Sequence, residues 1–277
     1  MIKKPDWLKV RYAQTPNRDA VEAILESLGL NTVCSQAACP NYSECFSKKT
    51  ATFMILGTNC TRNCRFCNVR HGSPTPVDNH EPQNVAKAVK ELGLRYAVIT
   101  SVTRDDLPDG GAGHFANVIS AIKKTSPGTA VEVLIPDFTD IKTVIESTPT
   151  VIGHNIETVE SLYPIVRAGA DYRRSLEILR NIKELGGKSK TGIMLGMGET
   201  KYQIKNLLDD LRSVGCDFLT IGQYLAPSKD HYPVKRYIEP SEFDEYGQLA
   251  KQKGFSFVAS APFVRSSYNA EEALNFI

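Results

Sequence analysis

Thr52-Phe53-Met54-Ile55-Leu56-Gly57-Thr58-Asn59-Cys60-Thr61-Arg62-Asn63-Cys64-Arg65-Phe66-Cys67 joins an apolar run of strand length to three thiols within eight residues. A strand ending in a short loop aims all three sulfurs at one point. Three thiolates without a fourth suit an iron–sulfur cluster with one iron left open. A structural zinc site normally closes with four ligands, and an odd number of thiols does not pair off into disulfides.

A second group lies upstream, Cys34, Cys39 and Cys45, spaced by five and then six positions. Pro40 and Asn41 break any helix across it, which predicts a loop wrapping something. Two zinc sites or three disulfides remain open as readings of six cysteines. Two groups that each lack one ligand make two clusters the more economical account. The seventh, Cys216, stands alone in an apolar setting and reads as a packing thiol.

Downstream of the first group, short apolar runs alternate with longer amphipathic segments. The runs are 52–56, 96–102, 130–135, 151–156, 190–195, 218–221 and 255–259. Helical periodicity falls near 82–92, 114–124, 139–147, 172–185, 201–214 and 240–253, with an earlier helix at 19–28. Such alternation predicts an α/β fold whose parallel strands are buried on both faces. Six or seven units favour a partial (β/α)6-type TIM barrel, with functional groups at the C-terminal strand ends. Residues 71–82 read as a connector or lid.

Three strand ends carry candidate site residues. Val102-Thr103-Arg104-Asp105-Asp106-Leu107 is an exposed loop by composition and a candidate substrate contact by position. Alternation places Asn155 and Glu157 on one face of a strand, where an amide and a carboxylate can hold a vicinal diol. Glycines in Gly192-Ile193-Met194-Leu195-Gly196-Met197-Gly198-Glu199 allow backbone groups to meet an adenine or lie under a cofactor.

The whole chain sets bounds on these readings. Its 277 residues suffice for one large domain or two small ones. A net charge of +2 implies no general affinity for nucleic acid. No apolar stretch approaches a membrane span, and the charged N-terminus lacks the apolar core of a signal peptide. Cysteines kept reduced as ligands then predict a cytoplasmic protein. The basic arm with Lys3, Lys4, Lys9 and Arg11 is a solvated segment or a docking arm.

The spacing of Cys60, Cys64 and Cys67, with Phe66 before the last cysteine, resembles the signature of radical S-adenosylmethionine enzymes. In those enzymes the three cysteines hold a [4Fe–4S] cluster whose open iron binds S-adenosylmethionine. The segment with Asn155 and Glu157 resembles the ribose-binding segment of biotin synthase, and Gly196 and Gly198 resemble adenosyl-contacting glycines. The chain from about Trp7 to about Glu271 resembles the lipoyl synthase family, through both cysteine groups and Arg265-Ser266-Ser267-Tyr268. Ala38-Cys39-Pro40-Asn41, Val102–Leu107 and Ile221-Gly222-Gln223-Tyr224-Leu225 carry the same likeness. One departure is Ala261, where a glycine is expected before Pro262.

The resemblance implies insertion of two sulfurs at C6 and C8 of an octanoyl chain carried on a protein lysine. An S-adenosylmethionine molecule, cleaved reductively at the first cluster, yields a 5′-deoxyadenosyl radical for each hydrogen removed. An auxiliary [4Fe–4S] cluster on Cys34, Cys39, Cys45 and Ser267 supplies the sulfurs; Ser266 competes with Ser267 for that place. No residue is then a polar catalyst, because an unactivated methylene offers acid–base chemistry nothing to act on. The implied division is an N-terminal extension 1–50, a barrel 51–260 and a closing C-terminal segment 261–277. Implied partners are octanoylated carrier domains, either a 2-oxoacid dehydrogenase acyltransferase subunit or glycine cleavage H-protein. A flavodoxin or ferredoxin is the implied reductant; neither nucleic acid nor membrane is a partner. Biotin synthase, a methylthiotransferase, an electron carrier and a zinc-stabilised module are the competing readings. An anaerobic absorption spectrum with iron and sulfide assays separates the iron–sulfur readings from the zinc module.

Overall fold

The computed structural model describes residues 2–10, 14–138 and 140–276. The chain divides into two compact units, 10–62 with 68–152, and 1–9 with 63–67 and 153–277.

The first unit begins with α1 (Pro16–Ser27), capped by the Thr15 side chain and begun with Pro16. Strand β1 (Asn31–Thr32) precedes two short helices, α2 (Val33–Gln36) and α3 (Tyr42–Ser47). Pro40 and Asn41 do interrupt the helical path, but Cys34 and Cys45 sit on these helices, with only Cys39 between them. The wrapping loop expected from sequence is therefore two helical turns with a break. Each turn closes locally, the amide of Cys39 reaching the carbonyl of Cys34 and that of Cys45 the carbonyl of Asn41.

Strands β2 (Thr52–Ile55), β3 (Asn59–Cys60) and β4 (Arg70–His71) lead to helix α4 (Glu81–Leu92). Strand β5 (Tyr96–Ser101), α5 (Ala112–Thr125), β6 (Ala130–Leu134), α6 (Ile141–Glu146) and β7 (Val151–Gly153) follow. The expected first residue of α6, Thr139, lies outside the described residues, as does Arg11 of the basic arm. Sheet order in this unit is β1-β2-β5-β6-β7. β1 runs antiparallel to β2, whereas β2, β5 and β6 are parallel. Strand β2 is buried along its whole length, as a strand covered on both faces must be. Helix α4 buries Val85, Ala86, Val89 and Leu92 at helical spacing.

The second unit holds α7 (Tyr163–Val166), α8 (Tyr172–Glu184), β8 (Ser189–Leu195), α9 (Lys201–Ser213), β9 (Phe218–Gln223), α10 (Pro240–Gln252) and β10 (Phe257–Ser260). β8, β9 and β10 are parallel neighbours. A capping box between Thr200 and Gln203 starts α9. That helix buries Ile204, Leu207, Leu208 and Leu211, each contributing about 1.5–3 kcal/mol. Cys216 is fully buried, its thiol pushed up to about 12 by burial, as a packing thiol should be.

The α/β order expected from sequence is met strand by strand, with one correction. The run at 151–156 stops as a strand at Gly153. Beyond it Glu157 takes a left-handed backbone, φ +66°, and forms an isolated bridge to Ile193. Strand alternation therefore does not relate Asn155 to Glu157. Among the described residues, no helix is long and apolar enough to cross a membrane.

Candidate functional site

Cys34, Cys39 and Cys45 are gathered within the first unit. Burial pushes the Cys34 thiol up to about 11, and the nearby Cys39 adds to the rise. Cys45 is pushed up to about 12 by burial, then by the charges of Cys34 and Cys39. Three thiols that oppose one another's ionisation share one small region. Such a set holds its thiolates only when bound cations offset their charge.

Cys60 ends β3, and its carbonyl accepts from Gly72 at 3.0 Å. Its sulfur accepts the backbone N–H of Thr103 at 3.3 Å. The Val102–Leu107 loop is thus a brace behind the cysteine. Arg104, 3% exposed, donates to the Leu56 carbonyl at 3.0 Å and pairs with Asp106. Leu56 itself is left-handed, φ +67°, and its N–H reaches the buried Glu81 carboxylate at 2.9 Å. The exposed substrate loop read from composition is, at its centre, a buried support for the end of β2. Charged residues concealed this, because Arg104 meets the Leu56 carbonyl from 48 residues away in sequence.

Cys64 and Cys67 belong to the second unit, where the amide of Cys67 closes a turn onto the carbonyl of Cys64 at 3.0 Å. Phe66 packs against a buried cluster of Val166, Met197, Tyr224 and Tyr232. Arg65 stacks on the Tyr232 ring, accepts the Tyr232 amide at its own carbonyl, and donates its own amide to the carbonyl of Val166. His231 Nε2 lies 3.1 Å from the Cys67 carbonyl, and its Nδ1 lies 2.9 Å from the Ser228 hydroxyl. A carbonyl only accepts, so Nε2 carries a proton there. The sequence reading missed this histidine, since 164 residues separate it from Cys67.

Asn155 and Glu157 do meet, through a hydrogen bond between amide and carboxylate. Burial holds the Glu157 carboxyl above its ordinary range, against the opposing effects of Arg167 and Asn155. Ser266 donates to Asn155 Oδ1 at 2.9 Å. Gly192 lies beneath this group: a Cβ there would come within 3 Å of Ser266, Thr220 and Asn155 oxygens. The amide of Tyr268 closes onto the carbonyl of Arg265, so Ser266 and Ser267 are the central residues of one turn. Gly196, φ +103°, fits tightly against the Gln223 amide and the Arg236 carbonyl, and Gly198 is also left-handed. Glu199 ties this turn by accepting from the amides of Gly196 and Met197.

Among the described residues, no three His, Cys, Asp or Glu side chains converge as ligands of a single metal ion. A four-iron cluster gives each thiolate its own iron, so its ligands need not meet at one point. The donor set is soft sulfur, as iron–sulfur chemistry requires. Both cysteine groups supply free thiols of that kind.

The radical SAM superfamily model matches residues 54–211. The lipoyl synthase of Caldicellulosiruptor saccharolyticus is 56% identical over 281 aligned positions, spanning 99% of each chain. The chain belongs to the lipoyl synthase family. The lipoyl synthase of Alkaliphilus metalliredigens is 54% identical, over 98% of this chain and 96% of its own. Among solved structures, methylornithine synthase (PylB) superposes with a TM-score of 0.54 at 16% identity. That alignment covers 93% of this chain and 86% of the other, and it speaks for the fold alone. Family membership implies an iron–sulfur cluster and S-adenosylmethionine as cofactors.

Proposed function

We propose that this chain inserts two sulfur atoms, at C6 and C8, into an octanoyl group carried on the lysine of a lipoyl-carrier domain. The observation that carries the reading is the second thiol group, Cys34, Cys39 and Cys45, gathered within one unit of a chain that also carries the three-cysteine radical SAM motif. When bound, the clusters and S-adenosylmethionine supply a radical able to take hydrogen from an unactivated carbon, and the sulfur that replaces it. Each insertion removes one hydrogen atom from carbon and forms one carbon–sulfur bond, so two S-adenosylmethionine molecules serve one product.

The protein's own part is to hold and to shield. Cys60, Cys64 and Cys67 would hold the first cluster, and Cys34, Cys39 and Cys45 the auxiliary one. Ser267 would close the auxiliary site, an oxygen ligand weaker than thiolate and suited to an iron that must leave. Its neighbour Ser266 is engaged with Asn155, which supports Ser267 as the available hydroxyl of that turn. Asn155 and Glu157 would meet the ribose of S-adenosylmethionine, with Gly196 and Gly198 along the adenosyl group. Support comes from the paired amide and carboxylate and from the left-handed backbone of Glu157, a conformation that marks functional positions.

The division into 1–50, 51–260 and 261–277 follows the same reading, with the outer segments serving the auxiliary cluster. The carrier would be a 2-oxoacid dehydrogenase acyltransferase domain or glycine cleavage H-protein, and the reductant a flavodoxin or ferredoxin. A cytoplasmic setting would keep both thiol groups reduced. The test is anaerobic incubation of reconstituted protein with S-adenosylmethionine, dithionite and an octanoyl-lysine carrier domain. A carrier mass gain of two sulfurs is expected. Production of 5′-deoxyadenosine without any sulfur gained by the carrier overturns the assignment.

A further inference from the structure

We propose that Arg62 is a positioning residue that seats the Cys60 sulfur on the Thr103 amide and so sets the reduction potential of the cluster Cys60 holds. The inference rests on the reading that Cys60 ligates a redox-active cluster.

Arg62 stands two residues after Cys60, inside the cysteine motif, yet it does not face solvent as a loop arginine would. Its side chain is 15% exposed and spans two carboxylates. Nε and Nη2 form a fork on Asp105, at 2.9 and 2.7 Å, while Nη1 pairs with Asp137, itself 3% exposed. A planar fork on one carboxylate with a third donor on another fixes position and orientation together.

The clamp grips the very loop that serves the sulfur. Asp105 lies two residues after Thr103, whose N–H donates to Cys60 Sγ. Thr61 completes a short ladder, its amide donating to the Thr103 carbonyl at 3.1 Å and its hydroxyl accepting from the Asp105 amide at 3.2 Å. Residues 60–62 and 103–105 are therefore joined at three successive levels: sulfur to amide, backbone to backbone, and guanidinium to carboxylate. Loosening the last leaves the first free to lengthen, and a hydrogen bond weakens steeply with distance and angle.

Reduction adds one electron, from an external low-potential donor, to the cluster and its thiolates. An N–H donated to a thiolate sulfur stabilises that added negative charge and raises the potential. Arg62 thus makes the cluster easier to reduce by geometry, beyond the effect of its own charge.

The test uses the full chain, reconstituted anaerobically, with Arg62→Lys and Asp105→Asn. Redox titration with dithionite follows the electron paramagnetic resonance signal that changes when S-adenosylmethionine is added, which isolates the first cluster from the auxiliary one. Arg62→Lys keeps the cation and loses the fork; its midpoint should move to a more negative potential. Asp105→Asn removes an anion, so charge alone would raise the potential, whereas a loosened clamp lowers it. A fall in both variants supports the proposal. An unmoved midpoint in Arg62→Lys, or a rise in Asp105→Asn, overturns it. A parent protein without any signal responsive to S-adenosylmethionine overturns the cluster reading itself, and this proposal with it.

Discussion

The hydroxyl of Ser266 donates to Oδ1 of Asn155 at 2.9 Å, across 111 residues of sequence. It ties the C-terminal turn to the residue proposed to meet the ribose, and it separates the roles of two adjacent serines. Ser267→Ala should still bind iron and still yield 5′-deoxyadenosine, yet transfer no sulfur to the carrier. Ser266→Ala should retain sulfur transfer at saturating S-adenosylmethionine and bind that cofactor less tightly. Paired assays of 5′-deoxyadenosine and carrier mass distinguish them; full lipoyl formation by Ser267→Ala would sink its assignment as a ligand.

Asn155→Ala removes an amide that holds both Ser266 and the Glu157 carboxylate. Losing a buried hydrogen bond of this kind costs about 1–3 kcal/mol. Calorimetry of S-adenosylmethionine binding should therefore show a dissociation constant weaker by about 5- to 150-fold. Parental affinity would return Asn155 to the scaffold.

Two thiol groups, each lacking a fourth cysteine, predict about eight irons per reconstituted chain, four to a cluster. Replacing Cys60, Cys64 and Cys67 together by Ala should halve the iron and abolish S-adenosylmethionine cleavage. Iron assay and product chromatography on the same sample check both. Cleavage by that variant would reverse the roles of the two groups.

The raised carboxyl of Glu157 has a definite sign in stability. The folded protein holds this proton to higher pH than the unfolded chain, so stability falls as pH rises from the ordinary value of 4.5 through the folded one. Glu157→Gln removes that loss. The variant's apoprotein should melt higher than the parent at neutral pH, with the gain vanishing below the ordinary carboxylate range. Melting curves that run parallel across pH would contradict the burial of this charge.

Gly196 leaves no room for a side chain. A Cβ would lie 2.4 Å from the Arg236 carbonyl, and φ of +103° strains any other residue. Gly196→Ala should destabilise the apoprotein by about 1–3 kcal/mol, read as a lower urea midpoint with an unchanged slope. An unchanged midpoint would show that the turn relaxes freely.

Sequence alone determined the strands of the seven apolar runs, the longer helices and the two thiol groups, but not β1, β3, β4 or the short helices α2, α3 and α7. Apolar runs such as Tyr96–Ser101 and periodic faces such as that of α9 express preferences settled within a few residues. Cysteine spacing is likewise local, because each thiol group lies within about a dozen residues of chain. Tertiary structure alone decided what surrounds them. Nothing near Arg62 in sequence announces Asp105 or Asp137, 43 and 75 residues away. Nothing near Cys67 announces His231, and nothing near Asn155 announces Ser266. The left-handed backbone of Glu157 overrode an alternation that fitted a strand, since its amide and carbonyl are claimed by Gly192 and Met194. These pairings join distant segments whose register is set by packing of whole elements, and local preference carries no record of it.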